Sequence, residues 1–202
     1  MLRDISLHIL DLTQNSITAG AQIVRIVIAG DLKDEMLTVQ IEDNGCGMSE
    51  EFLAAVEDPF TTSRKTRKVG MGIPFFKLAC EQGGGHMLID SKQNVGTKLL
   101  GSFEIDNIDR LPLGDLGETM QFLISGAPET KFILELQSSK GCFTFHTDEV
   151  KADAVQSTEF PESFPALHPG GLLRWRTDHL PRPALFFSRC FSSFNTSLVR
   201  FL

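Results

Sequence analysis

The chain has few cysteines, no excess of positive charge and no long apolar run, and each absence removes a class of function. Its four cysteines, Cys46, Cys80, Cys142 and Cys190, are scattered and form no C-x-x-C pair. A disulfide framework or a zinc site is therefore not expected, and free thiols in a reducing cytoplasm are. A formal charge of −7 lacks the basic face that broad nucleic-acid binding uses, leaving room only for a small basic patch. No apolar stretch approaches the ~20 residues that span a bilayer, and the N-terminus opens with charges in place of a signal peptide. A cytoplasmic chain without a membrane partner is the expectation. There are no internal repeats and no G-x-x-x-x-G-K-S/T string, so this is not a P-loop protein. What remains is a globular chain of 202 residues, 42% hydrophobic and 22% charged, long enough for one core or one core plus a tail.

Hydrophobic spacing divides the chain. Residues 2–19 predict a helix, with Ile5, Ile9 and Leu12 at helical spacing and Gly20 as its stop signal. Residues 22–29 and 37–41 predict strands joined by a turn over 30–35. Ser49-Glu50-Glu51 opens a second helix that runs to about Glu57, since serine caps and glutamates suit a helix N-terminus. The polar, hydroxyl-rich and basic segment 58–68 reads as a loop. A third helix spans 73–82 and stops at Gly83-Gly84-Gly85; strands follow at 86–91 and 97–105 around a turn at 94–96. The order predicts an α+β fold, a two-layer α/β sandwich with a mixed sheet covered by helices.

Three segments are assigned on this basis: a core at 1–109, an extension at 110–156 and a tail at 157–202. The extension carries a helix over 113–125 and a hairpin of 131–137 with 142–147, which either extends the sheet or forms a small appended unit. The tail holds more than half of the nine prolines and is rich in serine and phenylalanine. It carries +2, leaving −9 for residues 1–156. A linker or partly disordered tail, a segment that packs on a partner, and a non-native extension from a frame change all remain open.

Three short stretches then form a constellation. Asp11 and Asn15, four apart on the first helix, share one face. An asparagine carbonyl is a hard oxygen ligand suited to magnesium, which otherwise keeps water and phosphate ligands. A carboxylate one turn away can orient or deprotonate an attacking water. Asp43-Asn44-Gly45-Cys46-Gly47 places a carboxylate between a hydrophobic run and two glycines. That carboxylate can accept from a purine amine while the glycines admit close backbone approach. Alone, Asp-Asn-Gly is also ordinary turn chemistry, and an isolated D-x-x-x-N more often just faces solvent. Gly70-Met71-Gly72 follows the basic loop and opens a helix, where backbone amides bind anions. Thr61, Thr62, Arg64, Lys65, Arg67 and Lys68 would close over a triphosphate as a lid; taken alone, such a run is a solvated loop.

In this order and spacing the set resembles the GHKL ATPases: gyrase B subunits, the heat-shock chaperone, histidine kinases and the MutL mismatch-repair proteins. DLTQNSITAGA at 11–21 is similar to their asparagine box, and EDNGCGM at 42–48 to the first glycine box, in wording close to MutL. DPFTTSRKTRKVGMGIP at 58–74 resembles a histidine-kinase segment, with Phe60 in the phenylalanine box and Gly70–Gly72 as the second glycine box. Gly96-Thr97 fits the weaker glycine-threonine element. The resemblance covers residues 1–105. It implies the left-handed α/β sandwich of that family, with ATP and Mg2+ as cofactors. Asn15 would hold magnesium, Asp11 would be the general base and Asp43 would bind the adenine amine. Gly45, Gly47, Gly70, Met71 and Gly72, with Phe60, Thr61, Thr62 and Lys65, would form pocket and lid, and Thr97 would support the adenine end.

Two departures follow. The family's usual base is glutamate, and Asp11 is one methylene shorter; a carboxylate displaced by roughly 1 Å can cost about 100-fold in rate. No phosphoacceptor histidine stands in a helix pair: His8 lies three residues before Asp11 and reads as a packed residue, and His86 and His146 read as structural. The expectation is a stand-alone Mg-ATP-binding ATPase or protein kinase acting on a protein partner, not a complete sensor kinase, with residues 110–150 as candidate docking surface. A nucleotide-gated protein-binding switch with little hydrolysis is the alternative, a homodimer is open, and a DNA-repair fragment is disfavoured by the acidic balance.

Overall fold

A computed structural model describes residues 2–31, 35–56, 72–138 and 141–148. The lid assigned to 58–68 and the tail at 157–202 lie outside them. Helix α1 (Ile5–Thr18) starts where Asp4, in an extended conformation, accepts the Leu7 N–H on its side chain, which satisfies one of the helix's orphan donors. It ends at Ala19, with Gly20 following at φ +75°. Strands β1 (Ile23–Asp31) and β2 (Met36–Asp43) form an antiparallel pair, and α2 (Glu50–Val56) follows. Ser49 caps α2, its hydroxyl accepting the Phe52 N–H at 3.3 Å. Helix α3 (Gly72–Gln82) leads to β3 (Met87–Lys92) and β4 (Gly96–Glu104), then α4 (Leu116–Gly126), β5 (Lys131–Ser138) and β6 (Gly141–His146).

The six strands make one mixed sheet in the order β3-β4-β2-β1-β5-β6. Among the described residues only β1 and β5 run parallel; the other neighbours are antiparallel. The hairpin of the extension therefore joins the sheet beside β1. A parallel neighbour requires a crossover, and α4 supplies it.

Strand alternation sorts the residues. Val24, Ile26 and Ile28 of β1, Leu37, Val39 and Ile41 of β2, and Phe132, Leu134 and Leu136 of β5 are all buried, on the face that meets the helices. From the other side, α1 contributes Ile5, Ile9 and Leu12, the stripe read from the sequence, and α3 contributes Ile73, Phe76, Ala79 and Cys80. Burial pushes the Cys80 thiol up to about 12, so it is a core group and not a nucleophile. Phe76 lies between His8 and Phe103, with ring centroids 5.7 and 5.9 Å away, and joins α1, α3 and β4 at one point. No helix among the described residues is long and apolar enough to cross a membrane.

Because Phe76 has no exposed surface and ties its own helix to two other elements, Phe76→Ala should lower unfolding free energy by ~3–5 kcal/mol, the range for a buried phenylalanine truncation. Urea unfolding followed by circular dichroism measures it.

Candidate functional site

The candidate site lies along α1, where one helix carries two sets of polar groups separated by its own rotation. Its apolar stripe turns Ser16 inward; Ser16 is 5% exposed and donates its hydroxyl hydrogen bond to Asp43 Oδ2 at 2.6 Å. The Gly45 N–H donates to Asp43 Oδ1 at 2.9 Å. Both carboxylate oxygens at the end of β2 are thus held from fixed directions, and each retains further acceptor capacity.

The loop after Asp43 is built from backbone contacts. Asn44 Oδ1 accepts the Gln22 and Ile23 N–H groups at 2.9 and 2.8 Å, and the Cys46 N–H donates to the Ala19 carbonyl at 3.0 Å. The Cys46 carbonyl accepts the Asn94 N–H at 2.7 Å. Gly47 has φ +61°, and a Cβ there would run into the Lys92 carbonyl. Only glycine serves at a left-handed position this close to another backbone.

Register places Thr97 of β4 opposite Asp43 and Ser91 of β3 opposite Thr97. The two hydroxyls lie 2.9 Å apart, and Ser91 Oγ also accepts the Met48 N–H at 2.9 Å. Hydroxyl groups thus brace the strand ends around Asp43 without adding charge.

The second set comprises Asp11 and Asn15. Both face the first residue of α3: a Cβ on Gly72 would overlap the Asp11 carboxylate and come 3.5 Å from Asn15 Nδ2. The structure therefore brings Asp11, Asn15 and Gly72 together, and Asp43, Gly45, Gly47 and Thr97 together. Ser16, next in chain to Asn15, links the groups. Phe60, Thr61, Thr62, Lys65, Gly70 and Met71 lie outside the described residues. Sequence reading missed Ser16, Ser91 and Asn44. Ser16 was open to detection as a polar residue at i+4 from the apolar Leu12.

His8 is packed, as its sequence position suggested, at 1% exposure. Neither ring nitrogen has a hydrogen-bond partner among the described residues. Burial lowers its pKa below the ordinary 6.5, against the opposing pull of Asp11 and Asp4.

A model of the family described as histidine kinase-, DNA gyrase B- and HSP90-like ATPases matches residues 3–107, just over half of the chain. The chain belongs to that family, and the mixed sheet with its helices is the family's α/β sandwich. Membership makes this an ATP-binding domain. The chain is 32% identical over 80 residues to a probable C4-dicarboxylate sensor kinase of Bacillus subtilis (strain 168), a match covering 40% of this chain and 15% of that protein. It is 31% identical over 93 residues to a putative sensor protein of Shewanella frigidimarina (strain NCIMB 400), covering 45% and 14%. The matches thus span about a seventh of the length of these curated relatives. Among solved structures, the Aquifex aeolicus MutL ATPase domain complexed with ADP aligns with a TM-score of 0.48 at 15% identity, over 68% of this chain and 61% of that one.

The buried His8 makes stability depend on pH. The unfolded chain takes up the proton at a higher pH than the folded one, so the His8 contribution is present above its ordinary 6.5 and is lost as pH falls through that value towards the lower folded one. Urea midpoints measured across this range should fall with pH in the wild type and fall less steeply in His8→Leu.

Proposed function

We propose that the protein binds Mg-ATP between α1, the end of β2 and the start of α3. In this reading it acts as a histidine-kinase-like ATPase or as a protein kinase on a protein partner. The observation that carries the reading is the double fixing of Asp43: Ser16 and the Gly45 amide each hold one oxygen, which leaves an oriented acceptor for the exocyclic amine of adenine. Thr97 and Ser91 support that end, and Gly45 and Gly47 let the loop behind Asp43 pack closely against Ala19 and Lys92.

At the other end, Asn15 would supply an oxygen to magnesium. Among the described residues no group of three or more His, Cys, Asp or Glu could hold a metal ion by itself. A single amide carbonyl nevertheless fits magnesium, which takes most of its ligands from water and phosphate. The ion would screen phosphate charge. Asp11, one turn from Asn15, would orient water or a protein hydroxyl for attack, and the amides at the start of α3 would face the phosphates. Gly70, Met71, Phe60, Thr61, Thr62 and Lys65 complete the proposed lid. The short reach of Asp11 favours slow turnover, so a nucleotide-gated switch on a protein partner is the second reading; phosphate release with magnesium and partner separates the two.

Calorimetric titration with a non-hydrolysable ATP analogue tests the site. Asp43→Ala should lose about 100-fold or more in affinity, and Ser16→Ala about tenfold, in keeping with loss of a hydrogen bond to a charged group. Asn15→Ala should bind the analogue with little response to magnesium. Equal affinity of wild type and Asp43→Ala would refute the adenine assignment.

A further inference from the structure

The base end of the site holds a pair of hydroxyls whose protons can be counted. Ser91 Oγ accepts the Met48 N–H at 2.9 Å and donates to the Gly96 carbonyl at 3.1 Å. An amide N–H only donates and a carbonyl only accepts, so these contacts use the one Ser91 proton and one of its two lone pairs. Its third neighbour is Thr97 Oγ1, at 2.9 Å. With its own proton on Gly96, Ser91 can only accept there, and Thr97 must donate. The opposite arrangement would leave Ser91 Oγ and the Gly96 carbonyl facing each other as two acceptors with no hydrogen between them. A serine that merely braces strand ends needs one such bond. Ser91 makes three, and the third commits the Thr97 proton to the protein.

That commitment decides what Thr97 can offer a ligand. Its oxygen keeps a lone pair and no free proton, and the Asp43 carboxylate, held by Ser16 and the Gly45 amide, is likewise an acceptor. Asp43 and Thr97 are register partners on neighbouring strands, where the Cβ atoms of opposite residues stand about 4.5–5.5 Å apart. Two acceptors that each take one hydrogen of a single amine, from about 2.9 Å and at roughly 120°, stand about 5 Å apart. We propose that Ser91 is a positioning residue for base specificity. By holding the Thr97 proton it leaves two acceptors, which share both hydrogens of one primary exocyclic amine. This rests on the reading of Asp43 as the adenine acceptor and adds to it, since Asp43 alone would take one hydrogen and ignore the other. A 6-oxo purine sets a carbonyl oxygen against two acceptors, and an N-methylated amine has one hydrogen for two sites. Both are disfavoured, and Ser91, acting through Thr97, sets half of that discrimination.

Calorimetric titration of the full chain with the β,γ-imido triphosphates of adenosine, inosine and N6-methyladenosine tests the proposal. The wild type should bind the adenosine compound about tenfold or more tightly than either of the others, in keeping with one unmet hydrogen bond. Ser91→Ala frees the Thr97 hydroxyl to turn and donate to the 6-oxo group, so the adenosine-to-inosine ratio should narrow several-fold. Ser91→Thr keeps a hydroxyl at this position and should restore the ratio. A purely structural serine would lower both affinities together and leave the ratio as it was. Circular dichroism verifies that each variant is folded. If Ser91→Ala does not fold, Thr97→Val removes the second acceptor instead, and the preference for adenosine over N6-methyladenosine should disappear. An unchanged ratio in Ser91→Ala overturns the proposal, as does a wild type that binds the N6-methyladenosine compound as tightly as the adenosine one. Asp43→Ala keeps the two readings apart. If it binds the adenosine compound as the wild type does, the adenine reading itself fails; a weakened Asp43→Ala beside an unchanged Ser91→Ala ratio removes only the role of Ser91.

Discussion

Burial of the Ile5–Ile9–Leu12 stripe is the constraint on which the site depends. It fixes the rotation of α1 about its axis, and that rotation decides where every polar group of the helix points. With the stripe on the sheet, Ser16 turns to the end of β2, while Asp11 and Asn15 turn to the start of α3. Residues 11–16, under two turns of the helix, therefore address two other elements at once. No long-range electrostatic steering is needed, because apolar packing sets the angle and the hydrogen bonds only complete it. The same dependence explains why Phe76, remote from Asp43 in sequence, matters to the geometry: it closes α3 onto α1 beside His8.

The fold was largely legible. Period-3.6 spacing in α1 and β-branched runs in β1 and β2 place those elements within one to three residues of their observed limits, and the glycine triplet after Gln82 marks the end of α3. These signals are local, so a sequence carries them openly. Pairing is a different matter. Nothing local to residues 131–138 says that this strand lies parallel to β1 rather than in a unit of its own, because the choice depends on where α4 sends the chain. At the site, Asp11, Asn15, Asp43 and the glycines stood out through their motif spacing. Ser16 and Ser91 did not, since a serine's meaning comes from the partner it meets through the fold, and each partner lies on another element. Asn44 reads as turn chemistry from sequence, yet its side chain ties the loop to the start of β1.

The contact of Gly72 with Asp11 ties the proposed base to the first residue of α3. A side chain at that position would push the helix off the carboxylate, so the two elements can meet only with glycine between them. A shift at the start of α3 is therefore felt at Asp11 directly, through packing and not through a relay of side chains. Whatever conformational step accompanies nucleotide binding has in α3 a rigid element through which to act.

Strand geometry gives the sheet one further property. Successive residues of β2 face opposite ways, so Glu42 looks outward to Arg25 and Asp43 looks inward to Ser16. A slip of β2 by one residue would trade these two acids and would also turn Leu37, Val39 and Ile41 out of the core. The slipped chain would still have a carboxylate at the end of the strand, but one methylene too long for the space between Ser16 and the Gly45 amide. The apolar alternation that holds β2 in register therefore also decides which of the two acids meets Ser16.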